Sequence, residues 1–287
     1  MKTRDQVEEE MRSLGWWYQH FELPSGVRTG TGQEPGYDAM SRWKLIEPFV
    51  PGDLQGKSVL DLGGNAGFFS IQMKLRGAQL CILVDPFEEF AAQAKFAAQQ
   101  FDVQIETVVA DAHTYCLTTE ERFDFVLFLG LLYHLKYPGL VLDRLAEMTR
   151  ERIFIQSNIV GEKQETSSLK QDYERWREDH LLEDPTYPKC CFIEHMYNGD
   201  PTNWWLPNPA AFEAMVRSAG LRIISCPHPH VIIAEPEFYY GKIVYPKLVF
   251  PRYGKDKESL FPGPQSYDSA LWERLIKRSR EPEEKEK

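Results

Sequence analysis

Lys57-Ser58-Val59-Leu60-Asp61-Leu62-Gly63-Gly64-Asn65-Ala66-Gly67 decides the fold of this chain. An apolar run ends at Asp61, the chain turns through Gly63 and Gly64, and Gly67 opens a helix. A second apolar run over 80–84 ends at Asp85. This is a strand, a glycine turn, a helix and a second strand with a carboxylate at its tip. Units of this kind hold adenosine-containing ligands at the carboxyl ends of parallel strands.

The glycine spacing separates two ligand classes. A dinucleotide site uses G-x-G-x-x-G, where the second glycine admits a pyrophosphate and the third lets helix and strand pack closely. Counted from Gly63, those positions are Asn65 and Phe68. The pattern D-x-G-G-x-x-G suits a ligand without a pyrophosphate, and S-adenosylmethionine fits. Its methionine end needs a tight backbone turn, and its vicinal ribose hydroxyls need a charged acceptor, the place of Asp85. An NAD(P) oxidoreductase is disfavoured on the same grounds.

Outward from this unit the chain alternates. A helix is expected over 67–76, a strand over 80–85, a helix from Pro86 to about 101 and a strand over 104–109. A strand over 123–129, a helix over 138–148 and a strand over 152–156 follow. Near-continuous apolar strands between helices predict a doubly wound, mostly parallel α/β sheet of Rossmann-like type. Upstream, a capped helix over 3–15 and a helix over 40–49 flank an aromatic, Gly- and Pro-rich stretch. Downstream, residues 158–207 break the rhythm with a polar helix over 167–180 and an aromatic loop. Asn208 and Pro209 then start a helix closed by Gly220. Runs over 221–226, 231–234 and 243–250 complete a sheet with an antiparallel edge strand. The tail from about residue 280 reads as disordered.

With 287 residues, the chain is long enough for one large domain with embellishments. No apolar run approaches the roughly 18 residues of a membrane span, and residues 1–10 are charged, without a signal-peptide core. Five cysteines without framework spacing point to a reducing cytoplasm. Cys81 and Cys226 are expected buried, and the pair Cys190-Cys191 structural. The net charge of −10 argues against an extensive nucleic-acid interface. No metal-ligand spacing occurs, and His228 and His230 read as structural.

Ligands of such sheets sit above the strand ends, so the residues there are the candidates. The first strand offers Asp61, Gly63, Gly64, Asn65 and Gly67; the second offers Asp85 and Pro86. The third offers Asp111 and Ala112, suited to an adenine amino group. The fourth offers Leu129, Gly130, Tyr133 and His134, and the fifth Ser157 and Asn158. Methyl transfer is an in-line displacement at a sulfonium carbon, so positioning supplies much of the acceleration. His134 reads either as a general base or as a residue packing at the strand end. Tyr133 reads either as a hydrogen-bonding wall near the sulfonium or as packing. The aromatic stretch with Trp176, Trp204 and Trp205 either covers a pocket or packs on the sheet edge.

Together these residues resemble the class I S-adenosylmethionine-dependent methyltransferases, and within them the family that makes 5-methoxyuridine or 5-carboxymethoxyuridine at the tRNA wobble position. The likeness spans roughly 38–225 and rests on Ser41-Arg42-Trp43-Lys44, the glycine stretch, Val84-Asp85-Pro86 with Phe90, and Gly130-Leu131-Leu132-Tyr133-His134. It implies a seven-stranded sheet with its last strand antiparallel, and it implies that Tyr133 and Lys44 approach the transferred group. It also implies a carboxylated donor gripped by a lysine in the N-terminal aromatic segment. The corresponding stretch, Leu14-Gly15-Trp16-Trp17-Tyr18, has no lysine, and an extra carboxylate without a cation is costly to desolvate. The expected cofactor is therefore ordinary S-adenosylmethionine.

The expected domains are an N-terminal extension over 1–50 covering the active site, a methyltransferase domain over 51–250 with an insertion over 158–207, and a C-terminal segment over 251–287. The expected reaction is methyl transfer to an oxygen or nitrogen of a small-molecule or sugar-containing acceptor. The alternatives are tRNA wobble-uridine (carboxy)methyl transfer and S-adenosylmethionine binding without turnover. Oligomeric state is not legible.

Overall fold

The computed structural model describes residues 2–30, 36–161, 183–184 and 186–237. The helix expected over 167–180, the strand over 243–250 and the tail lie outside the described residues.

Eleven strands and seven α-helices are described. The strands are β1 (Gln19–His20), β2 (Tyr37–Asp38), β3 (Ser58–Leu62), β4 (Leu80–Asp85), β5 (Glu106–Val109), β6 (Phe123–Leu129), β7 (Thr149–Gln156), β8 (Cys190–Phe192), β9 (Trp205–Pro207), β10 (Leu221–His228) and β11 (Val231–Pro236). The helices are α1 (Arg4–Ser13), α2 (Ala39–Ile46), α3 (Phe68–Leu75), α4 (Glu88–Gln100), α5 (Ala112–Thr118), α6 (Pro138–Met148) and α7 (Pro209–Ser218).

Seven strands form one sheet in the order β10-β11-β7-β6-β3-β4-β5. The five strands from β7 to β5 are parallel, and the strand order reverses at β3, with β4 and β5 added on one side and β6 and β7 on the other. In sheets of this kind ligands bind at such a switch point, outside the strand ends, which here carry Asp61 and Gly130. The antiparallel pairing falls at the edge as expected, made by β11, which lies between β7 and β10.

Side chains alternate between two core layers, as the period of a strand requires. Val59, Phe125, Leu127 and Phe154 join the layer that holds Trp43, Phe69, Phe96 and the N-terminal residues Trp17, Phe21 and Leu23. Leu60, Val126, Phe128 and Ile155 face the other layer, with Leu142, Leu145 and Phe212.

Local chemistry sets the ends of the elements. Thr3 and Gln6 form the expected capping box of α1. Helix α2 stops at Ile46 because Pro48 follows, and a 3-10 turn over Glu47–Phe49 finishes the segment. Helix α4 starts at Glu88 rather than Pro86, because the Phe87 N–H is held by the Asp85 carboxylate. Cys226 is half-buried rather than buried, and Cys190 and Cys191 are exposed free thiols.

Candidate active site

The glycine loop after β3 has no room for side chains. A Cβ at Gly64 would fall 2.5 Å from Leu83 Cγ and 2.9 Å from Asp61 Cγ. At Gly67 it would fall 2.9 Å from Ala94 Cβ, so the glycine lets α3 approach α4. Gly63 and Gly67 have φ of 76° and 79°, and Asn65 has 50°.

Both carboxylates of the turn are buried. Asp61 Oδ2 accepts from Ser70 Oγ at 2.8 Å, tying β3 to α3. Burial pushes its pKa from 3.8 up to about 6, against the Ser70 hydrogen bonds. Asp85 Oδ2 accepts from Asn65 N at 3.0 Å, and Oδ1 from Phe87 N at 3.2 Å. Burial pushes it up to about 7 even so. A carboxylate has about four acceptor directions. The two backbone bonds fix its plane and leave acceptor capacity for a vicinal diol.

The N-terminal segment reaches into this loop through Gln19, a residue that the sequence did not single out. Gln19, 2% exposed, donates from Nε2 to Gly64 O at 3.2 Å and to the Tyr37 hydroxyl at 3.3 Å. Its Oε1 accepts from Phe68 N at 3.1 Å, capping the start of α3. Gln93 on α4 holds the same segment by donating to Leu14 O and Trp16 O. No motif marks either glutamine, because each acts across a long sequence separation.

A second cluster surrounds Gly130 at the end of β6. The space a Cβ would take there is 3.2 Å from Arg42 Nη1, 3.3 Å from Gln156 Oε1 and 3.8 Å from the Tyr133 hydroxyl. Arg42 lies over the Tyr37 ring at 3.7 Å, a cation–π contact that holds the guanidinium in place. Gln156 is 6% exposed, and its Oε1 has no hydrogen-bond partner among the described residues. A buried acceptor in that state costs about 1–3 kcal/mol until a donor arrives. Tyr133 is buried, and desolvation holds its phenol well above the ordinary range, so the hydroxyl remains a neutral donor.

The structure does not bring Lys44 to this cluster. Lys44 is exposed, whereas Arg42 faces Gly130. Two residues along a helix turn the side chain by about 200°, so both cannot face one site. Arg42 was legible only as part of the motif shared with the family, not as the site's cation. Of the other expected residues, Asp111 caps α5 by accepting from Thr114 N at 3.0 Å, and Ala112 is buried in the core. Pro86 is partly exposed beside Asp85, and Leu129 lies partly exposed at the tip of β6. Ser157 is buried, with its hydroxyl donated to Asn158 O.

His134 sits in a 3-10 turn, Leu132–His134, with its ring 4.2 Å from that of Tyr133. Its Nδ1 lies 2.8 Å from Thr202 Oγ1, and Thr202 Oγ1 lies 2.6 Å from Asp200 Oδ1. Burial lowers the His134 pKa, against the raising effect of Asp200. Trp204 N donates to Tyr133 O at 2.8 Å, so the end of the 158–207 segment packs on the site turn. Among the described residues, no group of three or more His, Cys, Asp or Glu is placed to hold a metal ion, and no helix is long and apolar enough to cross a membrane.

The curated relatives include proteins named tRNA U34 carboxymethyltransferase. That of Dichelobacter nodosus is 34% identical over 127 residues, covering 42% of this chain and 39% of that protein. That of Pseudomonas putida is 25% identical over 247 residues, covering 82% of this chain and 65% of that protein. The chain thus spans less than two thirds of either relative's length. Among solved structures, the N-terminal domain of EvdMO1 with SAH bound is similar in fold, with a TM-score of 0.52 and 19% identity over 82% of this chain and 95% of that one. The family described as "Methyltransferase domain" matches residues 38–225, from the start of α2 into β10, a span that holds the five parallel strands, Asp61, Asp85 and the residues around Gly130. The chain therefore belongs to the methyltransferase domain family, the S-adenosylmethionine-dependent enzymes built on this sheet.

Proposed function

We propose that this chain transfers a methyl group from S-adenosylmethionine to an oxygen or nitrogen of a small-molecule or sugar-containing acceptor seated over Gly130. The observation that carries this reading is the convergence of Arg42, Gln156 and the Tyr133 hydroxyl on the space beside Gly130, next to the loop that holds Asp85. In this reading Asp85 takes the ribose hydroxyls. Asp61, Gly63, Gly64, Asn65 and Gly67 shape the methionine end, and Asp111 and Ala112 flank the adenine. The acceptor presents a donor to Gln156 Oε1 and a carbonyl or anionic oxygen to Arg42. Residues 1–50 act as a cover, through Gln19, Tyr37 and Arg42. The sulfonium is already an activated leaving group, so alignment of acceptor and methyl supplies much of the acceleration.

A second reading is tRNA wobble-uridine (carboxy)methyl transfer, after the names of the relatives. Arg42 favours it, because it places a cation near Tyr133 where the stretch Leu14–Tyr18 offers none. One experiment separates the two. The protein is incubated with S-adenosylmethionine labelled at the methyl carbon, or with its carboxylated form labelled at the same carbon, and, separately, a small-molecule extract and total tRNA. Label in the extract alone, lost in Arg42→Met and Gln156→Leu, supports the first reading. Label in tRNA, with binding that weakens steeply with salt, replaces it by the second. Label in neither, with tight binding of S-adenosylhomocysteine, points to a binding protein without turnover.

A further inference from the structure

We propose that Thr202 and Asp200 are positioning residues that hold His134 with its hydrogen on Nδ1 and its lone pair on Nε2, so that Nε2 removes the acceptor's proton during methyl transfer. This rests on the methyltransferase reading above and assigns a task to the end of the 158–207 segment.

Donor counting fixes the hydrogens. Thr202 Oγ1 lies 2.6 Å from Asp200 Oδ1, and a hydroxyl facing a carboxylate at that distance must donate to it. The hydroxyl has a single hydrogen, so towards His134 it can only accept. The 2.8 Å contact is then Nδ1–H donating to Thr202 Oγ1. The opposite assignment would leave two oxygens at 2.6 Å with no hydrogen between them. In the neutral ring Nε2 therefore carries the lone pair.

The hairpin that delivers Asp200 is built for rigidity. Tyr197-Asn198-Gly199-Asp200 closes with mutual backbone bonds, Tyr197 N to Asp200 O at 3.1 Å and Asp200 N to Tyr197 O at 3.0 Å. Asn198 and Gly199 both have positive φ, at 51° and 75°, as a type I′ turn requires. Asp200 Oδ1 also accepts from Thr202 N at 2.8 Å. Asn203 Nδ2 donates to Asp200 O, and Trp205 Nε1 donates to Lys136 O. The strap is thus clamped on the turn that carries Tyr133 and His134. The charged group facing the imidazole among the described residues is Asp200, whose Oδ2 is 3.9 Å from Nδ1.

The step balances without a further reactant. The acceptor heteroatom attacks the methyl carbon, the carbon–sulfur bond breaks with its electron pair going to sulfur, and the heteroatom's proton passes to Nε2. The imidazolium shares its Nδ1–H with the Thr202–Asp200 pair and returns the other proton to water.

The test is imidazole nitrogen NMR on the full chain, with His134 assigned by His134→Gln. In the wild type His134 is expected to be the Nδ1–H tautomer below exchange. Thr202→Val, close in shape, should mix the two tautomers, and Thr202→Ser should restore the wild-type spectrum. Asp200→Asn should move the His134 titration to lower pH, because it removes the charge that stabilises imidazolium. A wild-type Nε2–H tautomer, or a tautomer and titration indifferent to both variants, overturns the proposal. Calorimetry with S-adenosylhomocysteine on each variant keeps the two ideas apart. Retained binding with an unaltered tautomer sinks the relay alone, whereas no binding by the wild type sinks the methyltransferase reading.

Discussion

Cofactor affinity should rise with pH through the neutral range, and Asp85 should be the reason. In the free protein Asp85 is 5% exposed, and burial has pushed its carboxyl from 3.8 up to about 7. A ribose diol donates hydrogen bonds, so it binds the ionised form better than the neutral one. Binding therefore drives a proton off Asp85, and affinity increases as pH climbs from about 5.5 to about 8. The backbone bonds from Asn65 N and Phe87 N already fix the carboxylate plane, so little of the gain is lost to reorienting it. A hydrogen bond to a charged group contributes about 1.5–3 kcal/mol. Asp85→Ala should thus weaken S-adenosylhomocysteine binding by roughly 10- to 150-fold at pH ~8. Asp85→Asn should weaken it too and flatten the dependence on pH. Isothermal calorimetry in two buffers of different ionisation enthalpy measures both the affinity and the proton released. Asp61, pushed up to about 6, contributes at the lower end of the range, and Asp61→Asn should leave the upper part of the profile intact. A flat wild-type profile together with unchanged binding by Asp85→Ala would refute the ribose assignment.

The same two carboxyls affect folding with a definite sign. Their folded values of about 6 and about 7 exceed the ordinary 3.8, so the stability they confer is present below pH ~4 and lost as pH rises towards 7. Urea denaturation of an Asp61→Asn, Asp85→Asn double variant should show a shallower loss over that range than the wild type. Gly64→Ala should cost about 1–3 kcal/mol by denaturant unfolding, because its Cβ would meet Leu83 at 2.5 Å. A stability unchanged by that substitution would mean the loop is looser than its contacts indicate. Gln19→Ala strips the cap from Phe68 N and the donor from Gly64 O. It should lower stability by about 1–3 kcal/mol and loosen the loop, seen as faster amide exchange at Phe68. Tyr133→Phe removes a donor that burial keeps neutral. It should reduce label transfer about tenfold, the effect of ~1.4 kcal/mol, while leaving S-adenosylhomocysteine affinity unchanged.

Most of the sheet was legible from local patterning. Strands β3, β4, β6 and β7 are buried on both faces over most of their length, and so runs such as 80–84, 125–129 and 153–155 are apolar without a break. The capping box at Thr3 and the Asn208-Pro209 start of α7 follow from spacings of three residues or fewer. The short pairs β1–β2 and β8–β9 were not legible, because strands of two or three residues carry no period. Lys44, expected near the transferred group, lies exposed; a linear motif does not say which way a helix faces, and α2 turns Arg42 towards Gly130 instead.

The stretch from Lys57 to Gly67, read with Asp85, determined the sheet, the ligand class and the carboxylate at the strand tip. It could do so because the chemistry there lies within one βαβ unit, whose residues are close in sequence and whose glycines are required by backbone geometry. Only the tertiary structure decided the rest. Gln19 reaches Gly64 across 45 positions, and Thr202 reaches His134 across 68. Arg42, Tyr133 and Gln156 meet at Gly130 because β6 and β7 end side by side and α2 turns Arg42 towards that end. Side chains brought together by packing leave no spacing in the sequence, and the groups over Gly130, where we place the acceptor, are of that kind.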